Sequence, residues 1–333
     1  MATLDRTMAR CPLKHEIRTE LWNKYFTKIN KTDKNYLTLF SPPLMDVKFF
    51  NKEGHIKIVD YKYSDVVGVY LPSDHDKNYT QIISEGQARI GSLVKGDIDN
   101  KEVIKELKNN FPFDVINLDY CNYLYGRNYT PYVSRHMQAI DEIVLLQRSH
   151  SIKEFILFVT SRIDPSPTGF AKDFLGELVD IVNSNIVTYP DWKQKFDLAF
   201  NNKSLAELKK SSREDFITIG LTKLIALTLS NYNYKIIDTD AYRLVRDRNQ
   251  QKRDLLHLAF HIKLITPVKT KDLAIPRNYE KESKILLNKY IDSKIVILKE
   301  SSDLINLQTK HAKIIKELNE INFEYPTPEP IKQ

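Results

Sequence analysis

Polar residues crowd the end of one short apolar run. In Phe113-Asp114-Val115-Ile116-Asn117-Leu118-Asp119-Tyr120-Cys121-Asn122-Tyr123-Leu124, a β-branched stretch gives way to a carboxylate, a phenol and an amide. A carboxylate, a phenol and an amide together can donate and accept hydrogen bonds to a ligand. In open α/β sheets, ligands bind just beyond the carboxyl ends of the strands. A strand that ends at Asp119 and runs into Tyr120 and Asn122, with Asn117 inside it, is therefore a candidate site. Cys121 lacks the preceding proline and companion carboxylate motif that a cytosine-directed nucleophile would need.

Other chemistry-bearing groups are sparser. His257 and His261 are four apart in a strand-like run without an adjacent carboxylate, so packing or edge positions are expected and no metal site is assigned. The turn Arg246 to Arg253 carries four basic residues and reads as a solvated hairpin loop or as a phosphate contact. Arg127, Arg135 and His136 follow the central motif, as do Tyr123, Tyr125, Tyr129 and Tyr132; surface packing and substrate contact both account for them. No Walker-type glycine loop occurs, which disfavours an ATPase.

The elements that must position these groups alternate in type. An amphipathic helix is expected over 12–30, with Leu13, Ile17, Leu21, Trp22, Tyr25, Phe26 and Ile29 on its apolar stripe and Lys and Glu between them. Strands are expected near 36, 66, 113, 155, 236 and 256, with a minor one near 93. The 236 strand reads as bent or bulged, and with the 256 strand it forms an antiparallel hairpin. Residues 170–230 read as helical, and 280–322 as one long charged helix whose Leu304, Leu307, His311, Ile314, Leu318 and Ile321 follow a heptad seam. The expected organisation is an N-terminal helical segment (1–35), a central domain (36–265) and a C-terminal helical extension and tail (266–333). The fold class is α/β: a mostly parallel Rossmann-like sheet with an antiparallel terminal hairpin and helices on both faces.

Composition bounds the setting. The chain of 333 residues carries a formal charge of +7 and has a pI near 9.0, which favours a polyanionic partner such as nucleic acid. No apolar run is long enough to span a membrane, and the start lacks an apolar signal core. The two cysteines, Cys11 and Cys121, make no disulfide framework, so a reducing cytoplasmic setting is expected.

The order of elements over roughly 36–265 resembles class I S-adenosylmethionine-dependent methyltransferases with divergent motifs, in particular nucleic-acid methyltransferase-like proteins of mobile-element and antiviral defence clusters. The resemblance implies S-adenosylmethionine as cofactor. It is held after the first strand by Ser41 and its neighbours, after the second by Asp74, and after the third by Asp97 and Ile98. Asp119-Tyr120-Cys121-Asn122 is similar to the Asp-Pro-Pro-Tyr type motif of amino-group methyltransferases, with Asp119, Asn117 and Asn122 at the acceptor and Tyr120 stacking on it. An alternative register aligns Asn117-Leu118-Asp119-Tyr120 with that motif. Ser41-Pro42-Pro43 stands where the family has a glycine-rich turn, and proline offers neither the amide donor nor the positive φ of glycine. The competing expectation is a catalytically degenerate scaffold whose C-terminal helix docks a protein partner or a second copy.

Overall fold

Among the described residues, β-branched and aromatic runs build an eight-stranded sheet in the order β3-β2-β1-β4-β5-β7-β6-β8. The structure is a computed structural model. It describes residues 11–40, 44–59, 62–70, 84, 88–120, 124, 135–163, 172–245, 254–265 and 280–321. The strands are β1 (Tyr36–Leu39), β2 (Tyr63–Tyr70), β3 (Ile90–Lys95), β4 (Val115–Asp119), β5 (Glu154–Arg162), β6 (Tyr234–Val245), β7 (Leu255–Leu264) and β8 (Val296–Lys299). β1 to β5 pair in parallel, β7 runs antiparallel to both β5 and β6, and β8 pairs in parallel with β6. The expected mostly parallel sheet with its antiparallel hairpin is the observed one, down to the irregularity in β6 between Ile236 and Asp238.

Successive residues of a strand face opposite sides, and each side is buried under its own helices. Val115, Ile156, Phe158 and Ala259 join one core cluster; Ile116, Leu118, Leu157, Val159 and Leu258 join the other. The first is covered by α1, which runs through Pro12–Glu16, Ile17–Trp22 and Asn23–Phe26, by α2 (Met45–Lys52) and by α10 (Glu300–Glu320). The second is covered by α3 (Lys101–Leu107), α4 (Arg135–Ser149), α5 (Lys172–Thr188), α6 (Pro190–Ala199), α7 (Leu205–Ser211), α8 (Arg213–Asn231) and α9 (Glu280–Ile291). The central turn of α1, Ile17–Trp22, is π-helical. The tight approach of β3 to β2 rests on a missing side chain: a Cβ on Gly91 would lie 1.9 Å from the Ser64 carbonyl oxygen.

The single charged helix expected over 280–322 is corrected to helix, strand, helix. α9 closes in a left-handed cap at Ser293 (φ 56), with Lys294 N–H donating to Lys289 O at 2.7 Å and Ser293 N–H to Tyr290 O at 3.0 Å. The β-branched run Val296-Ile297 then joins the sheet as its last strand. The seam of α10 is filled from within the chain: Leu304, Leu307, His311 and Leu318 are buried, and Lys48 Nζ donates to Leu318 O at 3.2 Å. The helix expected over 79–90 falls largely outside the described residues.

Burying Leu304, Leu307 and Leu318 contributes ~1.5–3 kcal/mol each, together comparable with the whole stability of a domain. A chain cut after Lys299 is therefore expected to lose cooperative thermal unfolding and to aggregate. An unchanged melting midpoint by circular dichroism would refute the assigned packing of α10.

Candidate functional site

The strand order reverses direction between β1 and β4, and in doubly wound sheets this switch point is where ligands bind, outside the carboxyl ends. Asp119 is the last residue of β4 and lies at that point. The pleat divides the residues around it. Asn117 and Asp119 face α1 and α2: Asn117 Nδ2 donates to Tyr36 Oη at 2.9 Å, and Lys14 Nζ donates to Asp119 Oδ1 at 2.6 Å. Tyr120 belongs to the core cluster of the opposite face.

On the α1 side, polar residues line up across four strands. The registers place Asp119 beside Thr160, Thr160 beside His257, and His257 beside Tyr242. Thr160 Oγ1 and His257 Nδ1 are 2.8 Å apart. Nearer β1, Tyr36 Oη and Thr38 Oγ1 both donate to Asp46 Oδ2, at 2.8 and 3.1 Å. Burial pushes the Tyr36 hydroxyl well above its ordinary pKa, with Asp46 adding to the effect, so it acts as a neutral donor.

α1 lays three more polar groups over this row. Lys14, Arg18 and Trp22 are spaced by four along the helix, and Lys14 Nζ sits 4.8 Å from the Trp22 ring centroid. Trp22 in turn packs on Phe158 and on the His257 ring, at 5.6 and 6.3 Å. Arg18 is only 4% exposed, and its pKa is pulled down by burial against the opposing pull of Asp46 and Asp119. Burial also drives His257 well below the ordinary histidine range, with the Lys14 charge adding to it, so its ring is neutral. Burial and the Arg18 charge hold His15 down at about 3; its ring packs on Phe49 and His311. For Asp119, burial alone would raise the pKa. The Lys14 ammonium and hydrogen bonds from Lys14 and Thr160 outweigh it and hold the carboxyl at about 2.

The opposite face carries a second polar group. The Tyr120 and His136 rings stack at 4.1 Å with 20° between planes, and His136 Nδ1 lies against Asp99 Oδ2. Tyr120 is 4% exposed, and burial together with Asp99 and Asp97 raises its pKa well above the ordinary value. Asp97 follows β3; its Oδ1 accepts from Asp99 N–H at 3.1 Å, and its side chain is half-buried. Ile98 is 3% exposed and packs in the core beneath.

The structure thus brings Asn117 and Asp119 to one face and Tyr120, Asp97 and Ile98 to the other. Ser41, Asp74 and Asn122 lie outside the described residues, as do Arg127 and the Arg246–Arg253 turn. Among the described residues, no group of histidines, cysteines and carboxylates could hold a metal ion. His261 pairs with Glu154 instead. The sequence reading placed Lys and Glu between the apolar positions of α1 and gave Lys14 and Arg18 no role. The available signal was their i, i+4, i+8 alignment with Trp22, which places them on one side of the helix.

The Lys14–Asp119 pair makes acid stability a readout of this geometry. The Asp119 pKa is depressed from 3.8 to about 2. Its contribution, about 2 kcal/mol, is therefore present above pH ~4 and lost as the pH falls toward 2. Asp119→Asn should remove that dependence and destabilise the chain by about 3–5 kcal/mol at neutral pH, because Lys14 is left buried without its carboxylate. The double variant with Lys14→Met should recover part of the loss. Additive losses in urea denaturation would sink the pairing.

No curated protein matches the chain. Residues 11–322, which include α1, the sheet and α10, match the model of the PP_RS20740-like family, and the chain belongs to that family.

Proposed function

We propose that the chain is an S-adenosylmethionine-dependent methyltransferase-like protein that acts on nucleic acid. The observation that carries this reading is the strand order. β3-β2-β1-β4-β5 is the doubly wound order of dinucleotide-binding sheets, and the antiparallel β7 between β5 and β6 supplies the terminal hairpin of the resembled family. The charge of +7 supports a polyanionic substrate.

The chemistry of the described residues is compatible with the cofactor at one position. Asp97 is a half-buried carboxylate just past β3, placed to accept from a hydroxyl or an exocyclic amine, whereas Ile98 is committed to the core. In this reading Ser41, Asp74 and Asp97 hold the cofactor, and Asp119 with Asn117 and Asn122 orients the acceptor. Tyr120 can stack on a base only after parting from His136. When bound, the cofactor supplies an electrophilic methyl group, so the chain's own residues have only to position and desolvate the acceptor.

A second reading has its own observation. Asp119 is held by Lys14 at 2.6 Å, and Ser41-Pro42-Pro43 follows β1 in place of glycines. Both suit a catalytically degenerate scaffold that binds a protein partner in a prokaryotic defence or regulatory complex.

Isothermal titration of the full chain separates the two. The methyltransferase reading expects saturable binding of S-adenosylmethionine and of its demethylated product, and label transfer from the former to DNA or RNA. No heat with either compound at millimolar concentration would overturn it in favour of the scaffold.

A further inference from the structure

Arg18 is a buried charge with unmet donors. The residue is 4% exposed, yet its Nε and Nη1 have no hydrogen-bond partner. The two carboxylates whose fields reach it are already engaged: Asp119 by Lys14, and Asp46 by Tyr36 and Thr38. A buried charge with unmet donors costs several kcal/mol, and a chain that retains one does so where something else meets it.

Unmet groups gather around it. Trp22 Nε1, four residues on along the π-helical turn, is buried without a partner. His257 Nε2 and Asn117 Oδ1, from the row beneath, are likewise unmet. π-turns inside α-helices occur frequently at functional sites, where they re-aim side chains. The row is also not sealed: the Asp119 side chain retains 28% exposure at the carboxyl edge, while Lys14 beside it retains 8%.

We propose that the interface between α1 and the carboxyl ends of β4 and β5 is a binding site for a phosphate group. Arg18 and Trp22 present N–H donors to its oxygens, with Lys14 adding charge. Asn117 Oδ1, an acceptor, takes the proton of a hydrogen phosphate; Thr160 gives its one proton to Asp119 and accepts from His257 Nδ1–H, so His257 Nε2 is a second acceptor. This mixture of donors and acceptors matches a protonated phosphate better than a carboxylate, which only accepts. Arginine's fixed fork suits such an oxyanion. The site stands apart from the methyl-transfer reading, since it needs neither that cofactor nor that reaction.

The test is differential scanning fluorimetry of the full chain, with inorganic phosphate titrated against chloride at matched ionic strength. An adenosine 5′-monophosphate arm separates free phosphate from a phosphomonoester. The melting temperature is expected to rise saturably with at least one of them. Arg18→Met should abolish the rise while matching or exceeding the wild-type melting temperature without anion, because a buried charge with unmet donors is gone. Arg18→Lys, which keeps the charge but loses the fork, should weaken binding about tenfold or more, and it decides the matter if Arg18→Met does not fold. Non-specific stabilisation by phosphate does not saturate and ignores Arg18. A wild-type response of that kind, a flat response, or a saturable one retained in both variants would overturn the site and leave the unmet groups to buried water.

Discussion

The burial of a row of polar groups under α1 is the constraint around which the structure is arranged. Asp119, Thr160, His257 and Tyr242 are neighbours across β4, β5, β7 and β6, so the sheet presents them together whether or not each has a partner. A purely apolar helix could not cover them, because every buried polar atom left unmet costs ~1–3 kcal/mol. α1 answers with Lys14 at Asp119 and with Tyr25 and Lys24 at Asp240, at 3.1 and 2.7 Å. It also packs Trp22 and Phe26 against Phe158. The same helix therefore seals the core and determines which polar groups stay unsatisfied.

α1 is itself fixed from outside by α10. Lys310 reaches Glu16 at 2.9 Å and Glu20 at 3.0 Å, and His311 pairs with Glu16 and lies 4.8 Å from the His15 ring. Exposed ion pairs contribute little singly, and the Lys310 pairs are half exposed. The buried leucines of α10 carry the energy, and the charges fix the register. The consequence for function is direct: the helix that lies over the switch point cannot shift without disturbing α10.

The architecture was legible because its signals are local. Continuous β-branched runs, an irregular strand before a basic turn, and alternating helices specify the sheet and its antiparallel hairpin without knowledge of any contact. β8 escaped because four residues after a charged helix resemble a continuation of it, and the Ser293 cap is a backbone event that composition does not announce. The polar row escaped for a different reason. Thr160 and His257 mean nothing in their own strands, and their juxtaposition with Asp119 exists only once β5 and β7 are in register. Lys14 and Arg18 look solvent-facing because burying a lysine and an arginine on one helix is rare.

Asp119 and Tyr120 show how a motif can mislead when it sits on a strand. Adjacent residues in a loop can converge on one ligand, but on a strand they diverge. Here the chain also turns tightly at the strand end, with Tyr120 N–H donating to Leu118 O at 2.9 Å. The carboxylate goes to the cation-bearing helix, and the ring goes to His136 and Asp99. A ligand that meets Asp119 approaches between α1 and the strand ends; one that meets Tyr120 approaches from α3 and α4. A substrate touching both must straddle the tip of β4, which demands an extended or splayed group rather than a small one. The straddle also requires two contacts to yield, the Lys14 ion pair on one side and the His136 stack on the other. The ion pair is the stronger, so α1 is the element whose position decides access to the carboxylate.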